Sequence, residues 1–266
     1  MAESSDDGIV VRHEQGVLSL TLDRPERKNA LSRTMIHAMV AALEDAADDD
    51  STRVVTLQAN GDHFCSGVDL AESNRVEGRP RTGHLQRHMA SAPHRLLRVL
   101  HELQLPVVAG VQGWCAGIGC TLALSADVVV AAPRARFWAP FVQRGFTPDS
   151  ATTFLLPRLI GLPRAKQMVL RGRPVDAELA LEWGMISEVA DGDLDTAVSE
   201  VAREFSASAT IAVGLARSLL HRNLECDLGE ALQNEAITEE LAVRSDDFKE
   251  GMRSFVEGRE PEYRGW

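Results

Sequence analysis

The stretch Pro106–Pro133, "PVVAGVQGWCAGIGCTLALSADVVVAAP", decides how the chain is read. Its opening, "PVVAGVQGW", is a short valine-rich apolar run, the pattern of a buried strand. Gly113, Gly117 and Gly119 then form a turn, "CTLALSA" is compatible with a helix, and "DVVVAAP" returns to strand. Strand, glycine turn, helix and strand in succession point to parallel strands joined by crossovers. The glycines are not spaced GxGxxG and no Walker lysine follows, so neither phosphate-cradle motif fits. Glycine permits positive φ and close approach of a ligand. The first N–H groups of a helix are unpaired and carry partial positive charge. They can hold a phosphate, or a carbonyl oxygen that becomes negative during a reaction. The same glycines would also serve if they only let a helix pack tightly on a strand.

A second small-residue turn lies upstream. "RVVTLQAN" reads as a buried strand closed by Asn60–Gly61, and "HFCSGVDL" follows it. Two backbone N–H donors from two separate turns are what an oxyanion hole requires.

Around these segments the pattern is regular. "IVVRHEQGVLSLTLDRP" predicts two strands broken at Glu14–Gly16. Leu31, Met35, Ile36, Met39, Val40 and Leu43 recur at helical steps, with Ser32 as a candidate cap. Residues Ala71–Arg81 read as a mobile loop, and "HLQRHMASAPHRLLRVLHEL" as helix with a weak point at Pro93. From Thr147 strands nearly vanish. Helices are predicted at Ser150–Leu159, Arg164–Arg171, Ala177–Trp183, Leu194–Ser206, Ile211–Leu224, Leu228–Arg244 and Phe248–Val256. Asp176 and Gly184 bracket one of them as N-cap and C′ residue. We expect an α/β core over residues 1–200 and a helical region over 201–266 that docks on the core or on a neighbouring copy.

The chain has 266 residues, a net charge of −11, and 44% hydrophobic and 25% charged residues. This is a globular composition and a poor one for nucleic-acid binding. Apolar runs are too short to span a membrane, and "MAESSDDGIV" lacks the features of a secretory leader, so a cytoplasmic location is expected. Four cysteines form no CxxC pair, and "GDHFCSG" offers one His and one Cys, so no metal site is expected. A Cys65–His63 nucleophile pair is an alternative to plain free thiols.

Six segments, in order and over essentially the whole chain, resemble the crotonase superfamily, the enoyl-CoA hydratase/isomerase family. They are "LTLDRPERKNALS", "HFCSGVDL", "GWCAGIGCTLALSADVVVAA", "FVQRGFTPDSATTFLLPRLIG", "GRPVDAELALEWGMISEV" and "DDFKEGMRSFVEGREP". The resemblance implies a spiral of ββα units with a helical C-terminal trimerisation region, assembled as trimers or paired trimers. It implies acyl-CoA thioester substrates, with coenzyme A part of the substrate and no separate cofactor. The enolate would be held by the N–H groups of Val68 and Ile118, the latter flanked by Gly117. Arg24, Lys28, Ala30 and Leu31 would meet CoA, although surface charge alone also accounts for Arg24 and Lys28. Ser66, Asp69 and Leu70 would flank the first donor. Phe255 would pack on CoA across a subunit boundary. A phosphate-binding lysine often found three residues later is Gly258 here, beside Arg259.

The departures carry the chemistry. Hydration needs two acid–base groups around one water, and the matching positions hold Thr121 and Phe141. A hydroxyl is no base at neutral pH and a phenyl ring does not titrate. Asp149, after Pro148, matches the acid of Δ3,Δ2-enoyl-CoA isomerases, including those of phenylacetate degradation. Such an acid moves one proton between C2 and C4. Capping the following helix is the alternative role for Asp149. The expected activity is an isomerase with a single Asp base. A hydratase using Glu72 or Asp69, and a non-catalytic acyl-CoA binder, remain the alternatives.

Overall fold

The computed structural model describes residues 4–6, 8–70 and 80–266. Glu72 and most of the loop expected at Ala71–Arg81 lie outside the described residues.

Among the described residues, ten strands form two sheets. The larger has seven strands in the order β1 (Ser4–Asp6), β2 (Ile9–Glu14), β3 (Val17–Leu22), β4 (Val54–Ala59), β5 (Val107–Val111), β7 (Val128–Ala131) and β10 (Glu188–Val189). β1–β2–β3 is an antiparallel meander, and every pairing from β3 onward is parallel, as the crossover pattern predicts. The smaller sheet joins β6 (Trp114–Ala116), β8 (Arg136–Trp138) and β9 (Val175–Asp176).

The chain alternates between the sheets in a repeating unit. One strand enters the large sheet, the next pairs with the small one, and a helix follows. β5, β6 and the helix Ile118–Leu124 form one such unit. β7, β8 and the helix Thr152–Arg171 form the next. β4 precedes an earlier version, whose second strand is reduced to a parallel bridge between Cys65 and Cys115. Parallel neighbours force such crossovers, because no short turn can join them.

The core lies between the large sheet and the helices. The helix Arg33–Ala47 buries Met35, Ile36, Met39, Val40 and Leu43, the stripe its spacing predicts, and the Ser32 hydroxyl caps it on the Met35 N–H at 3.1 Å. The expected long helix with Pro93 in it is two helices, His84–Ser91 and Pro93–Glu102, parted at Ala92. Proline suits the first turn of a new helix because its missing N–H is not needed there. Gly161, with φ 74° and ψ 156°, kinks the run Thr152–Arg171, in keeping with the two shorter helices expected there.

Among the described residues a short helix, Ala177–Glu182, comes next, and four longer ones follow: Leu194–Ser206, Thr210–Asn223, Leu228–Ala242 and Asp246–Glu257. Arg217, 5% exposed, ties the second of these to the body of the protein. Its guanidinium binds the Asp127 carboxylate at 2.8 Å and the carbonyls of Leu100, His101 and Leu103. Those carbonyls end the helix Pro93–Glu102, where no intrahelical N–H reaches them, and the His101 carbonyl also meets His221 Nδ1 at 3.0 Å. Asp127 in turn accepts the Val107 N–H at 2.7 Å, so the anchor reaches β5. Among the described residues, no helix is long and apolar enough to cross a membrane.

Candidate functional site

The two glycine turns lie side by side. Cys65 donates its N–H to the Trp114 carbonyl at 3.0 Å, and the Ala116 N–H returns to the Cys65 carbonyl at 2.8 Å. Val68 lies three residues beyond Cys65, and Ile118 three beyond its bridge partner Cys115. The two expected donors therefore occupy equivalent places in successive units.

Each N–H is left available by its surroundings. Leu31 pairs with the Val68 strand edge: Leu31 N–H to Gly67 carbonyl at 2.8 Å, and Asp69 N–H to Leu31 carbonyl at 2.9 Å. In a parallel bridge the bonds flank the central residue, so the Val68 N–H points away from Leu31. Ile118 is the first residue of its helix, where no intrahelical acceptor exists. Gly117 ahead of it has φ 56° and ψ −128°, a conformation that essentially only glycine adopts. A Cβ on Gly119 would fall 2.6–2.7 Å from Cys65, so the second turn can rest directly on the first.

The residues matched to CoA contacts converge on the first turn, with one qualification. Arg24 donates to the Ala30 carbonyl at 3.0 Å and to the Asp69 carboxylate at 3.2 Å. The Ser66 N–H meets the Lys28 carbonyl at 3.0 Å. Lys28, Leu70 and Ser66 are open to solvent to differing degrees, but the Leu31 side chain is buried in the core, so only its backbone faces the turn. Asn29 is the residue the sequence reading undervalued. It is fully buried, and its amide donates to the carbonyls of Asn60 and His63 while accepting the Arg24 N–H. It fastens the Arg24–Leu31 segment to both ends of the Asn60–His63 turn.

Thr121 is buried, and its hydroxyl donates to the Ile118 carbonyl at 3.1 Å, one turn back along its own helix. Phe141 is buried and meets Phe146 edge-on at 5.7 Å. The position matched to the second hydratase acid is therefore buried and apolar.

Asp149 does not cap the helix with its side chain. Ser150 and Ala151 both take positive φ, 49° and 61°, so the helix starts at Thr152 rather than at Ser150, with Ala151 at the N-cap. Two consecutive non-glycine residues in this region store strain, about 1–3 kcal/mol each. The Asp149 carbonyl accepts the Thr152 N–H at 3.0 Å. Its half-buried carboxyl is pushed above the ordinary aspartate range by desolvation, opposed by a hydrogen bond with Ser150 and by the charge of His94. Nothing in the sequence marks Ser150 and His94 as neighbours of this carboxyl. The helix that follows Asp149 packs against Ile118–Leu124, the helix that begins at the second donor.

Phe255 is 83% exposed on Asp246–Glu257. Gly258 closes that helix in the left-handed conformation, and Arg259 is held by Glu250 and Glu257. Among the described residues no cluster of three or more His, Cys, Asp or Glu is arranged to hold a metal.

Paired turns on stacked ββα units are the arrangement that the resemblance to the crotonase superfamily implies, and the comparisons agree with it. The profile of the enoyl-CoA hydratase/isomerase family matches residues 12–265, and the chain belongs to that family. It is 37% identical over 254 residues to the 1,2-epoxyphenylacetyl-CoA isomerase of Escherichia coli (strain K12), covering 95% of this chain and 96% of that protein. It is 32% identical to the 2,3-dehydroadipyl-CoA hydratase of the same organism, covering 97% and 98%. Its fold superposes on the crystal structure of an enoyl-CoA hydratase from Mycobacterium smegmatis with a TM-score of 0.89 at 30% identity, covering 97% and 99% of the two chains.

Proposed function

We propose that this member of the family is an enoyl-CoA isomerase that moves a double bond from C3 to C2 of an acyl-CoA, with Asp149 as its single base. The observation that carries the reading is the state of Asp149 beside the two lost hydratase positions. Its carboxyl is half-buried, raised in pKa and free of capping duty. Thr121 is committed to its own helix and Phe141 cannot titrate. In the proposed reaction the Val68 and Ile118 N–H groups stabilise the thioester enolate while Asp149 takes a proton from C2. The same carboxylic acid returns it at C4, so no second acid and no activated water is needed. The name of the Escherichia coli relative, an isomerase, supports this direction.

The deciding experiment mixes the protein with a 3-enoyl-CoA and follows conjugation to the thioester by absorbance, with crotonyl-CoA hydration measured in parallel. Rapid conjugation with little hydration is the expected result. Dominant hydration would establish the hydratase instead, for which Asp69, paired with Arg24 at 3.2 Å, would be the candidate to mutate. Tight acyl-CoA binding without turnover would make the protein a non-catalytic binder.

Gly117→Ala tests the second donor. Alanine does not tolerate φ 56° with ψ −128°, so the peptide before Ile118 must turn and carry its N–H off target. Turnover is expected to fall by about 10²–10³, the usual cost of one oxyanion donor. A turnover within about twofold of wild type would remove Ile118 from the scheme.

The assembly belongs to the same proposal. Leu220, Leu224, Leu228, Leu232, Ile237 and Leu241 are all more than half exposed on the C-terminal helices. Large apolar faces of this kind are covered by partner subunits. A trimer, or a pair of trimers, is the expected state by light scattering, and it would bring a neighbour's Phe255 within reach of CoA.

A further inference from the structure

We propose that Cys65 is a positioning residue: its side chain fixes the Gly67 peptide and sets the gap between the turns that carry the Val68 and Ile118 N–H groups. The inference rests on the reading of those two groups as thioester donors.

Cys65 is fully buried at the meeting point of the two turns. Its sulfur accepts the Gly67 N–H at 3.4 Å, immediately before the Val68 peptide. On its other side it meets Gly119, where an added Cβ would fall 2.6 Å from the Cys65 Cβ and 2.7 Å from its sulfur. Gly119 is the residue after the second donor. A second thiol supports the same place, because Cys115 donates to the Gly119 carbonyl at 3.3 Å. One side chain thus touches the peptide beside each donor and acts as the spacer between them.

The thiol does not act as a nucleophile. Burial pushes its pKa up to about 12, so it stays protonated at neutral pH. His63, the partner considered from sequence, has its Nδ1 occupied by the Trp114 N–H at 3.2 Å. What remains for Cys65 is its shape and its weak acceptor. Serine keeps an acceptor at nearly the same place, alanine removes it, and valine adds bulk against Gly119.

The test uses Cys65→Ser, Cys65→Ala and Cys65→Val with two readouts. One is isomerase turnover, with kcat and KM separated. The other is the red shift of a donor-substituted cinnamoyl-CoA on binding, which reports polarisation of the thioester carbonyl. Cys65→Val is expected to lose about 10-fold or more in kcat with KM little changed, and most of the red shift, because misaimed donors forfeit transition-state stabilisation first. Cys65→Ala should lose several-fold in kcat and part of the shift, while Cys65→Ser keeps most of both. A merely structural role would lower thermal stability without touching the red shift of the folded, ligand-bound enzyme. Wild-type red shift and wild-type kcat in both Cys65→Ala and Cys65→Val would overturn the inference and leave the two donors standing. Should the valine variant not fold, the alanine and serine variants decide it. A wild-type protein that binds the probe with no red shift would instead bring down the donor reading itself.

Discussion

Asp149→Asn slows conjugation of a 3-enoyl-CoA by about 10²–10⁴, the range for loss of a general base, and leaves acyl-CoA affinity nearly unchanged. Asparagine matches aspartate in size, so the Phe141 wall and the turn at Ser150–Ala151 stay in place while the proton carrier is gone. The wild-type rate should rise with pH through a pKa above the ordinary aspartate value of 3.8, because burial raises it and the base must be ionised to act. The asparagine variant should lose that limb.

Stability moves the other way. A carboxyl whose pKa is raised on folding contributes stability below its unfolded pKa, and that contribution is lost as pH rises through the folded value. At neutral pH the ionised Asp149 therefore costs stability, and Asp149→Asn should melt no lower than the wild type. A variant that keeps full turnover, or one that melts well below wild type at neutral pH, would contradict the assignment.

The second large effect concerns the anchor rather than the site. Arg217→Ala leaves the Asp127 carboxylate and the carbonyls of Leu100, His101 and Leu103 facing a vacated, largely buried space. Removing one partner of such a pair costs about 3–5 kcal/mol. The loss should fall first on the C-terminal helices, since Arg217 connects them to the end of Pro93–Glu102 and, through Asp127, to β5. Limited proteolysis should cut beyond residue 207 sooner than elsewhere, and the melting temperature should drop by roughly 10 °C. Arg217→Lys should recover only part of it, because an ammonium cannot span the same set of acceptors. An unchanged melt with unchanged proteolysis would show that the anchor is dispensable.

The parts legible in the sequence were those set by neighbours along the chain. The valine-rich strands, the stripe Met35–Leu43 and the turns ending at Val68 and Ile118 all rest on local periodicity and on glycine. The substitutions at Thr121 and Phe141 were likewise readable, since residue type alone excludes them as bases. What stayed hidden depends on the third dimension. Nothing in "PDSA" announces two left-handed residues, yet these free Asp149 from capping. Arg217 in "GLARSLLHR" reads as an ordinary helical cation, because its partner Asp127 lies 90 residues away. Cys65 reads as a free thiol until Gly119 is seen against it. Asn29 was hidden inside a segment whose charged neighbours drew the attention.

The bridge between Cys65 and Cys115 has a consequence for the angle at which a bound oxygen is approached. Neighbouring strands lie about 4.8 Å apart, and the two candidate donors follow that bridge at equal offsets of three residues. An oxygen about 2.9 Å from each of two nitrogens at that spacing would sit at an N···O···N angle of roughly 110°. That is close to the spread of the two lone pairs of a carbonyl. The next strand over pairs Phe137 with Cys115, and three residues beyond Phe137 stands Pro140, which has no N–H to offer. On the proposed reading, sheet spacing would set both the number of donors and their convergence, independently of the side chains above them. A site built this way would let the acids and bases change, as proposed for Thr121 and Phe141, while the seat for the oxygen stayed where it is.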